Sequence, residues 1–136
     1  MKCLIVEDDF TARKLMQIYL SEFGKCFVAV NGKEAVQAVT QAFDEDEPYD
    51  LIALDIMMPE MDGIEALKAI RNLEKERGIT GLDTVKVIMT TAKGQSQDIF
   101  DAFNTGCEAY LIKPIRKPDL IDEIRKLGLL TESARF

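Results

Sequence analysis

Apolar runs of strand length alternate with segments of helical period along almost the whole chain. The run at residues 3–6 predicts a first strand, and residues 10–23 a helix with Leu15, Ile18, Tyr19 and Phe23 on one side. Residues 26–30 predict a second strand. Asn31 then reads as an N-cap with Glu34 as its reciprocal partner, opening a helix that runs to about residue 43. Asp44-Glu45-Asp46-Glu47-Pro48 is a charged, solvated loop. Residues 50–54 predict the third strand and 64–75 the next helix, with Gly78 and Gly81 marking a loop. Residues 85–90 form the fourth strand and 96–104 a helix that ends near Gly106. Residues 109–112 are the fifth strand, and Pro118 fits position N1 of a last helix reaching about residue 127.

This is five βα units with no hairpin signal. The strands are apolar at nearly every position, the pattern of parallel strands covered on both faces. The expected fold is therefore α/β: a five-stranded parallel sheet, doubly wound by five helices through right-handed crossovers. In such sheets ligands bind beyond the carboxyl ends of the strands. Glu7-Asp8, Asp55, Thr91 and Lys113 all fall at such ends, so four strands would deliver polar groups to one rim.

Composition narrows the chemistry. The chain has 136 residues and is expected to form one domain. Its 24 acidic against 17 basic residues give a net charge of −7, which argues against a general nucleic-acid binder. No signal-peptide pattern and no run of membrane-spanning length occurs, so a cytoplasmic location without membrane insertion is expected. Three widely spaced cysteines (Cys3, Cys26, Cys107) read as reduced thiols and not as a disulfide framework. There is no histidine. Ser-His-Asp chemistry, His-ligated zinc and histidine phosphotransfer within these residues are excluded, and a metal must be held mainly by oxygen, as magnesium, calcium or manganese are.

Five short patterns carry a family resemblance: Val6-Glu7-Asp8, Leu54-Asp55, Met58-Pro59 with Asp62-Gly63, Thr91-Ala92 and Lys113-Pro114. In this order, at five strand ends, they make the chain resemble the receiver domain of two-component response regulators, as in the chemotaxis regulators, over about residues 2–127. The resemblance implies strand order 2-1-3-4-5, an order for which a receiver protein is itself the standard example. It implies that Asp55 is the phosphoacceptor and that Asp8 binds Mg²⁺ directly. Glu7 would act through water, with Asp55 and the Met57 backbone carbonyl completing the protein's share of the ligands. Thr91 and Lys113 would contact the phosphoryl group, and Tyr110 would be the switch aromatic that follows Thr91. The implied protein is a signalling phosphoacceptor and not an enzyme acting on other substrates. Its donor would be a sensor histidine kinase or a histidine phosphotransfer protein in a two-component system or phosphorelay. A downstream protein target would read the surface of the fourth helix, fifth strand and fifth helix.

Residues 1–128 are expected to be the receiver domain and 129–136 a short tail, with no output domain. Chemotaxis-like docking and phosphorelay transfer both remain open. Asp9 is expected to cap the first helix, Asp62-Gly63 to serve turn and helix start, and Thr90 to be structural beside Thr91. In the family that the chain resembles, the positions of Met57 and Lys93 modulate hydrolysis by shaping water access; slow self-dephosphorylation is expected, because Met57 is bulky and apolar and Lys93 cannot act as a carboxylate base. A flavodoxin-like cofactor binder would need a phosphate-cradling glycine loop, which is absent. An aspartate-nucleophile phosphatase would need an Asp-x-Asp pattern that Glu7-Asp8-Asp9 does not supply. A docking module independent of phosphorylation would not need the complete set of reacting groups.

Overall fold

The computed structural model describes residues 1–92 and 94–130. Strands and helices alternate: β1 (Lys2–Val6), α1 (Phe10–Leu20), β2 (Lys25–Ala29), α2 (Gly32–Asp44), β3 (Leu51–Asp55), α3 (Gly63–Glu76), β4 (Lys86–Thr91), α4 (Ser96–Thr105), β5 (Ala109–Ile112) and α5 (Lys117–Lys126), with a 3-10 turn at Gly81–Asp83. All four strand pairings are parallel, in the order β2-β1-β3-β4-β5.

Helices cover both faces. On one, Met16 and Leu20 of α1 and Leu120 and Ile124 of α5 pack against Cys3, Ile5, Leu51, Ala53 and Ile88. On the other, Val39 of α2, Leu67 and Ile70 of α3 and Ala102 of α4 pack against Leu4, Ile52, Leu54, Val87 and Met89. Successive strand residues face opposite layers, so a central strand must be apolar throughout. β3 meets this demand: all five of its residues are buried, Asp55 included.

The edge strand β2 departs from the expected pattern. Phe27 and Val28 are exposed, because an edge strand lacks a neighbour on one side. α1 departs too: it ends at Leu20, and its buried residues are Met16 and Leu20, whereas Leu15 and Ile18 are exposed. The apolar stripe on this helix is wider than the face it buries, and periodicity could not tell which half would turn inward.

The helix starts follow local chemistry. Asp9 caps α1, its Oδ2 accepting the Ala12 N–H at 2.8 Å. Asn31 Oδ1 accepts the Glu34 N–H at 2.8 Å, but Glu34 Oε1 accepts from Val30 N–H at 3.0 Å and not from Asn31, so the reciprocal bond lands one residue early. The complete capping box is at α3: Asp62 Oδ1 takes the Glu65 N–H at 2.8 Å and Glu65 Oε1 takes the Asp62 N–H at 3.2 Å. Pro118 lies one position further into α5 than N1, since the helix begins at Lys117.

Candidate functional site

The register brings the acidic groups together. Val6 pairs with Leu54, so Glu7 and Asp55 emerge side by side from β1 and β3. Asp55 itself pairs with Thr90, and Thr91 pairs with Ile112, one residue before Lys113. Glu7, Asp8 and Asp55 form one cluster: each offers a carboxylate oxygen, and these oxygens all lie within 4.8 Å of one another. Glu7 and Asp55 are buried, whereas Asp8 is exposed, so the cluster opens to solvent on Asp8's side.

Lys113 closes the other side. Its Nζ lies 3.3 Å from Asp55 Oδ2 and also contacts Glu7 Oε1. Burial pushes the Asp55 carboxyl up to about 7, Glu7's charge pushes the same way, and Lys113 and the Met57 amide act against both. Burial alone would lower the Lys113 ammonium, but its hydrogen bond to Glu7 and the charges of Asp55 and Glu7 outweigh that and raise it. The local balance is two buried carboxylates sharing one cation, with a third carboxylate at the edge.

Backbone geometry fixes these groups. Asp55 Oδ1 accepts the Met57 N–H at 3.3 Å, and Glu7 Oε2 accepts the Asp9 N–H at 3.1 Å. Gly63 permits the tight return of the chain after Asp55: a Cβ there would stand 2.2 Å from the Asp55 carbonyl oxygen. The Lys113 N–H donates to the Thr91 carbonyl at 2.7 Å, which holds the end of β5 against β4. Thr91 is fully buried, and its side chain is a hydrogen-bond partner of half-buried Tyr110. Met57 is exposed in the loop after β3.

Some features were not legible in the residues. Arg13 of α1 donates from Nη1 to the carbonyls of Glu7, at 3.0 Å, and Asp8, at 3.5 Å, so a cation braces the acidic loop from behind. The only signal was an arginine within one helical turn of the acidic run. Thr90 lines a cavity of about 400 Å³ with Glu7 and Lys113, walled by Leu15, Met16 and Ile115. That cavity joins residues from the β1–α1 loop, α1, β4 and the β5–α5 loop, which no local pattern connects. Lys93 and residues 131–136, including most of the expected tail, lie outside the described residues.

The donor set suits a hard divalent cation. Three carboxylates converge within reach of one ion, two of them buried and one open to water, with no sulfur or imidazole among them. Oxygen-only ligation with room for water is what Mg²⁺ selects.

Comparison with known proteins finds similarity along nearly the whole chain. The family model for the response regulator receiver domain matches residues 3–125. A probable transcriptional regulator, ycf29, of Porphyra purpurea is 36% identical over 125 residues, covering 91% of this chain and 54% of the relative. Hybrid signal transduction histidine kinase B of Dictyostelium discoideum is 37% identical over 134 residues, covering 94% of this chain and 7% of the relative. The chain thus spans about half the length, or far less, of these relatives. Among solved structures, the receiver domain of the histidine kinase CKI1 from Arabidopsis thaliana, complexed with Mg²⁺ and BeF₃⁻, superposes with a TM-score of 0.80 at 30% identity, covering 93% of this chain and 89% of that one.

Proposed function

The chain belongs to the response regulator receiver domain family, and from that premise we propose that it accepts a phosphoryl group on Asp55 from a phosphohistidine on a partner protein. The observation that supports this most is the single cluster of Glu7, Asp8 and Asp55 with Lys113 against it. An aspartate nucleophile must be ionised, yet burial beside Glu7 holds a proton on Asp55 to about neutral pH. Asp8, Asp55, the Met57 carbonyl and, through water, Glu7 would hold Mg²⁺, which would supply the positive charge that keeps Asp55 ionised and offsets the phosphoryl oxygens.

An Asp55 carboxylate oxygen attacks phosphorus, the P–N bond to the partner's imidazole breaks, and the imidazole leaves with the electron pair. The product is an aspartyl phosphate. Lys113, 3.3 Å from Asp55 in the free protein, would pair with a phosphoryl oxygen. Thr91 would turn to hydrogen-bond another, and its contact with Tyr110 would carry that movement to the surface of α4, β5 and α5. The added group brings roughly −1.5 to −2 charge, enough to favour one of two arrangements of that surface for a downstream protein. Phe10, Leu15 and Ile18 are exposed on α1, the helix that follows the acidic run, and would offer the donor protein an apolar landing surface.

Incubation with acetyl phosphate or phosphoramidate and Mg²⁺, followed by mass spectrometry of the intact chain, tests the assignment. A single adduct that disappears in Asp55→Asn is expected. Equal labelling of that variant would move the acceptor elsewhere.

A further inference from the structure

We propose that Cys3 and Cys26 form a latent disulfide site, a dithiol that a small disulfide oxidant converts into a covalent staple between β1 and β2. Two observations carry this. Cys3 pairs directly with Cys26 in the β1–β2 register, and directly paired residues of parallel strands point to the same face of the sheet. The two thiols are also near enough for the charge of Cys26 to bear on Cys3, although the Cys26 Sγ itself donates to the Gly24 carbonyl at 3.8 Å. Neighbouring strands lie about 4.8 Å apart, inside the roughly 4.4–6.8 Å Cα separation that a disulfide spans. Cys107 is excluded by position: it packs with the opposite face of the sheet.

Exposure sets the order of events. Cys3 is completely buried, whereas Cys26 is half-buried on the edge strand. With oxidised glutathione as oxidant, the Cys26 thiolate attacks one glutathione sulfur. The glutathione S–S bond breaks and one reduced glutathione leaves. The Cys3 thiolate then attacks the Cys26 sulfur of the mixed disulfide, and the second glutathione leaves with the electron pair. The two protons lost by the cysteines end on the two glutathione thiols, so two thiols are oxidised and one small disulfide is reduced. Burial pushes the Cys3 thiol up to about 12 and raises Cys26 as well, so little thiolate exists at neutral pH and the exchange runs over hours.

The staple would close a loop that contains Glu7, Asp8, Asp9 and all of α1. Its effect is on the unfolded chain, whose freedom it restricts. Cys3 lies near the amino end of β1, away from the acid cluster at the other end, so the inference does not depend on the chemistry at Asp55.

The test uses the unmutated chain, oxidised with glutathione disulfide at about pH 8, quenched in acid and digested without reductant. The expected product is two hydrogens lighter, yields one peptide pair joined through Cys3 and Cys26, and leaves Cys107 free. Its unfolding midpoint should rise by roughly 5–15 °C and fall back on reduction. The proposal is overturned by glutathione that stays bound to Cys26, by bonds through Cys107 or between chains, or by thiols that remain unreacted.

Discussion

At the scale of single residues, the site is defined by a conflict over one proton. The folded chain holds the Asp55 proton to about 7, well above the ordinary 3.8. The unfolded chain therefore loses that proton first, and between those values the folded state binds more protons than the unfolded one. Stability from this group is fully present below the lower value and is lost as pH rises through the upper one. Asp55→Asn removes the ionisation while keeping the shape. In metal-free protein it should match the parent near pH 4 and exceed it by on the order of 1–3 kcal/mol at pH 8. Urea denaturation across that range measures the gap; a gap independent of pH would mean that Asp55 is ionised at no cost. Asp8 is the exposed member of this crowded cluster and its opening to solvent.

At the scale of elements, the loop from β3 to α3 illustrates how two neighbouring residues can do different work. Asp62 caps α3 at its surface, its side chain accepting from Glu65 and its N–H donating to the Glu65 carboxylate. Gly63 lets the chain pass the Asp55 carbonyl at a distance that no side chain tolerates. Asp62→Ala should cost about 1 kcal/mol of stability and leave phosphorylation of Asp55 at its normal rate. Gly63→Ala should cost about 1–3 kcal/mol and also slow labelling of Asp55, because the clash is with the backbone of Asp55 itself. Parallel unfolding and acetyl-phosphate kinetics on the two variants separate these effects. Equal labelling rates would show that the loop's shape is irrelevant to the acceptor.

At the scale of the whole molecule, a second polar network braces the other end of the sheet. Arg71 of α3 contacts Glu74 at 2.7 Å and Glu108 at 3.0 Å, and donates to the carbonyls of Val85 and Gly106. Glu74 is 1% exposed and also accepts the Val85 N–H at 2.7 Å. One guanidinium thus ties α3 to the start of β4 and to the turn between α4 and β5. Arg71→Met would leave the Glu74 carboxylate buried without its cation, at a cost of about 3–5 kcal/mol, visible as a large fall in the denaturation midpoint. Double replacement with Glu74→Gln should recover part of it. Ligand binding acts on the same global balance. Mg²⁺ at one hundred times its dissociation constant should stabilise the chain by about 2.7 kcal/mol. Asp8→Ala should abolish most of that rise in thermal midpoint; an undiminished rise would place the ion elsewhere. No described helix is long and apolar enough to cross a membrane.

The alternation of strands and helices, the parallel doubly wound class and the strand ends at which Glu7, Asp8, Asp55, Thr91 and Lys113 fall are all legible in the order of residues. These are local properties: period, capping chemistry and the apolar character of a strand buried on both faces are written within a few residues of each other. The order of the strands came from family likeness, and the sheet has that order. Which side of α1 turns inward is settled by packing, because Leu15 and Met16 are both apolar and the choice depends on what lies beneath. The tertiary structure alone set Cys3 against Cys26, Arg13 against the acidic loop, and Arg71 between two carboxylates far apart in the chain. Each of those pairings is fixed by register and helix placement, which arise from the packing of the whole core and leave no mark on the residues nearby.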